Sequence, residues 1–176
     1  MADTDGFQEP ATSIQDPSEL IAGYLDTYRD TLLRKIAGLT PEQLRGSILP
    51  SGWSPIGLVK HLTYVERRWL RWGFAGEDIG VVWGDSDPNN PDGPWYVGAD
   101  ETPDAIIDAF HDEITRCRQI IAAHDIRERG VPSDRFDADQ PIPTLGWILL
   151  HLIQEYARHV GQLDVVRELL DGEVGE

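Results

Sequence analysis

A single cysteine, Cys117, stands in the whole chain, so no intramolecular disulfide can form and the fold must hold by packing. Its place in an apolar helical pattern points to an inert core thiol rather than a nucleophile. Long hydrophobic runs are missing too. A membrane helix needs roughly 18 to 20 uninterrupted apolar residues, and no stretch comes near that, so no membrane partner is expected. Basic residues are few: 15 Lys and Arg stand against 31 Asp and Glu, a net charge of −16. Such a chain repels phosphate backbones at long range, which argues against nucleic acid as a partner. The N-terminus lacks the basic-then-apolar pattern of a secretion signal, so the cytoplasm is the expected location.

What the chain does have is helical periodicity with strong punctuation. At 176 residues it fits one domain able to bury its own core. Three helix starts share one device, a polar cap followed by proline: Asp16-Pro17, Ser54-Pro55 and Thr102-Pro103. Leu20, Tyr24, Tyr28, Leu32, Ile36 and Leu39 form the buried stripe of a first helix that ends near Gly38. A second helix is expected over about 55–74, with Leu58, Leu62, Val65, Trp69 and Trp72 inward. A third runs over about 103–124 on Ile106, Phe110, Ile114, Cys117 and Ile121. Thr144 caps a fourth that reaches Leu170 and stops at Gly172. No alternating strand pattern competes, and the fold class is all-α, a four-helix bundle with a long loop between helices 2 and 3. Residues 1–15 read as a mobile tail and 16–176 as the domain. The loop, 77–101, carries Trp83, Trp95 and Tyr96. Loops of that length often cover or bind a ligand, and the alternative is a loop pinned down by its own aromatics.

The chemistry gathers on the fourth helix. His151, Glu155 and His159 are spaced four apart and share one face. Relative to Ile148, Glu155 and His159 lie within about 20°, and His151 lies about 60° away. A carboxylate turned toward the core needs an opposite charge or a metal. On the second helix, His61 sits at the edge of the apolar stripe. Together His61, Glu155 and His159 would offer a borderline divalent ion two imidazole nitrogens and a carboxylate oxygen, with one position left open. Taken singly, each has a plainer reading: a hydrogen-bonded core histidine for His61, and an ion pair with Arg158 or a second-helix arginine for Glu155. His151 reads as a supporting residue or substrate contact rather than a fourth ligand. His111 and His124 read as surface residues.

The residues Trp53-Ser54-Pro55, Val59-Lys60-His61-Leu62, Val65-Glu66-Arg67-Arg68-Trp69 and the run from Trp147 to Gly161, with Arg167-Glu168 and Asp171-Gly172, resemble the DinB-like superfamily. Within it they resemble the mycothiol-dependent group that includes mycothiol S-transferases and the metal-binding domain of maleylpyruvate isomerase. The resemblance spans roughly residues 20 to 172. It implies a four-helix bundle whose metal is held by His61, Glu155 and His159, mycothiol as co-substrate, and a role in detoxification. The sequence departs from the group at Gln162, where similar chains often carry a further histidine.

A coordinated thiol is deprotonated outright and becomes a nucleophile at neutral pH. The expected function is therefore metal-dependent transfer of a low-molecular-weight thiol, mycothiol, to an electrophilic small molecule. Zinc is the expected metal, with nickel and manganese as alternatives, and no catalytic group separate from the ligands is expected. Tyr156, Arg67, Arg68, Arg71 and His151 are candidates for orienting the thiol or its acceptor, each weighed against a packing or solvated role. Three other readings use the same residues: a thiol-dependent isomerase, a metal-dependent hydrolase, and a non-enzymatic metal-binding stress-response protein. A homodimer is compatible with all of them.

Overall fold

The computed structural model describes residues 8–80, 95–136 and 139–175. Helix α1 spans Pro17–Ile36, the short α2 Pro41–Arg45, α3 Pro55–Glu66, α4 Pro103–Ala123 and α5 Leu145–Asp171. Among the described residues there is no strand, only an isolated bridge between Arg129 and Thr144. The class is all-α. No helix among these residues is long and apolar enough to cross a membrane.

The helices begin where cap chemistry places them. Asp16 accepts from the Ser18 amide, Ser54 from Gly57, Thr102 from Ala105 and Thr144 from Trp147. In each case a side-chain oxygen takes one of the amides that the first helical turn leaves without an intrahelical partner. Thr40 and Gln43 form a reciprocal capping box on α2. At the other end of α5, Gly172 takes φ +80°, a left-handed conformation that closes the helix cheaply only with glycine. Of the expected tail, residues 1–7 lie outside the described residues. Within the rest, Gln8 accepts from the Thr27 hydroxyl at 3.0 Å and Pro10 lies against Gly23 of α1.

Helix α1 packs on α5, α3 packs on α4, and α2 leans on both α3 and α4. Leu25, Leu32, Leu58, Leu62, Phe110, Ile148, Leu152 and Leu163 meet in the core. Beyond its regular span α3 continues to Phe74 as an irregular extension, counted with it from here, that departs from the expected regular helix. After Glu66 the backbone widens into π-helical turns over Arg67–Phe74, and the Ala75 amide donates to the Leu70 carbonyl five residues back. A π turn spaces neighbours by five, so the residue below Val65 on the core face is Leu70, not Trp69. Leu70 and Phe74 are buried, whereas Trp69 and Trp72 are only half-buried. That rotation corrects the expected inward stripe. It also turns the face of Trp69 toward α5.

Inside the core lies an ion pair that no spacing rule announced. Arg29 of α1 donates from Nε to Oε1 of Glu66 at 2.8 Å and from Nη2 to Oε2 at 2.5 Å. The Tyr156 hydroxyl adds a bond to the same carboxylate at 2.6 Å. Burial opposes the charge on Arg29, but Glu66 outweighs it and raises the guanidinium above its ordinary value. The network joins α1, α3 and α5 with every strong polar atom matched, as buried charges require.

Candidate metal centre

Helix α3 brings His61 and α5 brings Glu155 and His159 to one place, where one potential ligand atom from each lies within 4.8 Å of the others. His61 Nε2 is 3.2 Å from His159 Nε2. Glu155 Oε2 is 3.3 Å from His159 Nε2 and 4.0 Å from His61 Nε2. Ligands around a tetrahedral ion with bonds of about 2.0–2.1 Å stand roughly 3.3 Å apart. Two of the three separations match that spacing, and the third closes with a small turn of the half-buried Glu155. Both histidines are buried. Among the described residues no arginine pairs with Glu155: Arg158 is exposed, and the neighbours of this carboxylate are the three histidines. A hydrogen bond with His159, and then the charges of His151, His159 and His61, hold the Glu155 carboxyl below its ordinary range against the upward push of burial. It is therefore an anion, as a ligand must be.

Two further contacts shape the donors. His159 Nδ1 lies 2.9 Å from Gln162 Oε1. An amide oxygen only accepts, so Nδ1 carries a proton; Nε2, which faces His61 and donates to Glu155 while it is protonated, is the nitrogen left for a metal. Gln162, where the resemblance led one to expect a histidine, thus supplies a partner for His159. The three-residue spacing on one helix was the signal that could have revealed it. His151 Nε2 is 3.5 Å from Glu155 Oε1. Burial lowers the His151 pKa more than Glu155 raises it, and the charge of Arg135 lowers it further.

Trp95 covers one side. Its ring stacks on His61 at 4.6 Å and meets His159 edge-on at 5.0 Å, while Trp53 supports it from behind at 5.6 Å. The residue has φ 56°, a conformation that costs a non-glycine residue energy and persists where the surroundings over-determine it. The clamp is visible. Lys60 Nζ donates to the Tyr96 carbonyl at 3.0 Å and to Glu101 at 2.7 Å, and Arg45 reaches the Gly98 carbonyl at 2.8 Å. Trp83, the third aromatic of this loop, lies outside the described residues.

The other side is lined by aromatics of α3 and α5. Trp147 stacks on His151 at 5.4 Å with 5° between the planes, and Trp69 lies 4.4 Å from the same imidazole. The remaining expected contacts are placed elsewhere. Tyr156, expected to orient the thiol, is fully buried, and its proton is committed to Glu66. Arg67 forks onto Glu113 of α4, at 2.7 Å from Nε and 2.6 Å from Nη2, and Arg71 bonds Glu77 and Glu113. Arg68 is half-buried, close enough to Arg135 for their charges to interact. His111 and His124 are exposed. Cys117 is buried, and burial, with Glu66 and Glu113 beside it, pushes its thiol well above the ordinary value. It is therefore no nucleophile at neutral pH.

Two buried imidazoles and one carboxylate, with His159 Nε2 turned inward by the bond from Nδ1 to Gln162, are a donor set suited to a divalent ion with an open position. A comparison with curated proteins gives no match. The family model described as mycothiol S-transferase matches residues 20–172, a span that holds all three donors and the helices carrying them. The chain belongs to the mycothiol S-transferase family.

Proposed function

We propose that the protein is a metal-dependent thiol S-transferase that joins mycothiol to an electrophilic small molecule. The observation that carries this reading is the convergence of His61, Glu155 and His159, within a chain of this family. These three residues would hold the metal, with zinc the best fit to two nitrogens and one oxygen. When bound, the metal would supply a Lewis acid that keeps a thiol deprotonated at neutral pH, where a free thiol of pKa about 8.5 is mostly protonated.

The protein's own residues do the rest. Gln162 holds a proton of His159 on Nδ1, Trp95 shields one face of the cluster from water, and His151, beside Glu155, stands where a thiol and its acceptor can be oriented. In the reaction the thiol proton passes to solvent and the sulfur forms a bond to the electrophilic carbon. With a halide acceptor the carbon–halogen bond breaks, and the halide leaves with the bonding pair.

Metal analysis of the purified protein, followed by assays of halogenated and unsaturated electrophiles with and without mycothiol, tests the reading. The expected outcome is one divalent ion per chain and a thiol-dependent rate. His159→Ala should lose both the metal and the rate while keeping its helical circular dichroism, because the core packs without the metal. A variant that is confirmed metal-free yet as active as the unaltered protein would overturn the reading. A rate indifferent to thiol would assign water as the nucleophile instead.

A further inference from the structure

The connection from α4 to α5 passes under the end of α3, where the Val131 amide donates to the Phe74 carbonyl at 2.9 Å. It returns to start α5 through bonds from Leu145 to the Glu128 carbonyl and from Gly146 to the Ile126 carbonyl. Between this connection and the two helices lies a cleft of about 490 Å³, walled by Trp69, Phe136, Pro141, Pro143 and Trp147, with Arg129 at its edge. The cleft adjoins the metal centre. Its walls Trp69 and Trp147 both touch His151, whose Nε2 is 3.5 Å from Glu155. On α5, Trp147, His151, Glu155 and His159 follow at four-residue intervals, so one helical face leads from the cleft to the ligands, about 6 Å per step.

Arg129 lines this cleft and Arg135 packs on the rings of two of its walls, neither with a carboxylate among the described residues. Arg129 bonds a backbone oxygen, that of Ile142, at 2.6 Å. Arg135 lies on the faces of Trp69 at 4.7 Å and Phe136 at 5.5 Å, and its Nε is buried with no hydrogen-bond partner. In a chain with 31 acidic and 15 basic residues, a half-buried arginine that meets no acid among the described residues is unusual. Burial, then the like charge of Arg68, lowers its pKa from the ordinary guanidinium value, although a guanidinium stays protonated. Nε is shut away from solvent, so an anion would meet the Nη edge of the guanidinium and offset the charge that burial leaves uncompensated. The overall negative charge does not forbid this, since salt confines long-range repulsion to about 8 Å while the contact acts at hydrogen-bond distance.

We propose that this cleft is the acceptor subsite and that it takes an electrophile with a flat apolar body and an anionic group. The body lies against Trp69, Phe136 and Trp147, whose ring faces favour a planar partner. The anion sits on Arg135, whose planar fork matches a carboxylate. As the acceptor site for thiol transfer, the cleft rests on the function proposed above.

Calorimetry on the metal-loaded protein with para-nitrobenzoate and its uncharged methyl ester tests the subsite. The acid should bind about tenfold or more tightly than the ester, the worth of a charge-assisted pair. Arg135→Met should abolish that preference, Arg135→Lys should retain much of it, and Trp147→Ala should weaken both ligands. Arg135→Gln repeats the measurement if the methionine variant loses helicity. Equal binding of acid and ester to the unaltered protein, or a preference that survives loss of the guanidinium, overturns the subsite; the second result would place the acid on the metal. Chloride release from a chloronitrobenzoate and its ester with mycothiol is read separately. If the binding preference holds but no thiol releases chloride, thiol transfer falls and an anion site remains. If thiol transfer proceeds with no preference for the acid, the subsite alone falls.

Discussion

Gln162 shows how much of the site is decided by one amide. His159 can present a lone pair to a metal from Nε2 only while its proton stays on Nδ1, and Gln162 Oε1, 2.9 Å away, is the acceptor that holds it there. Partners of this kind typically contribute about 10–100-fold in metal affinity. Gln162→Leu should therefore weaken metal binding by roughly that factor, read by competition against a chelating dye, with helical content unchanged. Gln162→Glu should hold the metal at least as tightly, since a carboxylate accepts the same proton more strongly. Equal affinity in the leucine variant would mean that the amide merely fills space. The contrast with Tyr156 is instructive. It sits next to Glu155 in sequence, yet the helix turns it about 100° away into the Arg29–Glu66 pair, where its hydroxyl satisfies a buried carboxylate.

At the scale of elements, the centre depends on how closely the segment after residue 94 can approach α3. Gly57 makes that approach possible: a Cβ there would stand 2.6 Å from the Trp95 carbonyl oxygen, a backbone atom that cannot move aside cheaply. Gly57→Ala should therefore lift the Trp95 segment from His61 and cost about 1–3 kcal/mol, the usual range for overpacking. The donors themselves stay on α3 and α5. Near-ultraviolet circular dichroism and thermal unfolding should both change, while metal still binds; a variant indistinguishable from the parent in both would mean the approach is looser in solution. Elements also show what was legible in the sequence. Helix starts were, because Asp16, Ser54, Thr102 and Thr144 act on amides only two or three residues away. The face of α5 was, because four-residue spacing is geometry. The inward face of α3 beyond Val65 was not, because a 3.6-residue period puts Trp69 where the π turns put Leu70. Nor could spacing pair Glu66 with Arg29, or bring Arg135 and Phe136 out of a proline-rich connection to the ring of Trp69. Those meetings exist only once the helices have packed.

At the scale of the whole molecule, two electrostatic effects act in opposite directions as pH falls. A net charge of −16 opposes compaction through self-repulsion, and this opposition fades toward the isoelectric point near 4.5. Local pairs behave otherwise. Burial pushes the Glu77 carboxyl upward, but Arg71 and Arg116 hold it below its ordinary value of 4.5; Arg167 holds Asp171 below 3.8. A carboxyl depressed in the folded state contributes fully above its unfolded pKa, and that contribution is lost as pH falls through the folded value. The pairs therefore stay largely ionised at the isoelectric point, and their contribution is lost as pH falls from the ordinary values of 4.5 and 3.8 through the depressed folded ones. Salt separates the two effects, because it screens diffuse repulsion at a Debye length of about 10 Å in 0.1 M salt and shields close, partly buried pairs much less. On chelated protein, raising sodium chloride from low concentration to about 0.2 M, enough to screen charges beyond roughly 7 Å, should raise the melting temperature at pH 7. Near the isoelectric pH the same addition should have little effect. Below it, the melting temperature should fall in either salt as the pairs with Arg71 and Arg167 lose their anions. A salt effect of equal size at neutral and isoelectric pH would contradict diffuse repulsion as its source, since a molecule without net charge has little such repulsion left to screen.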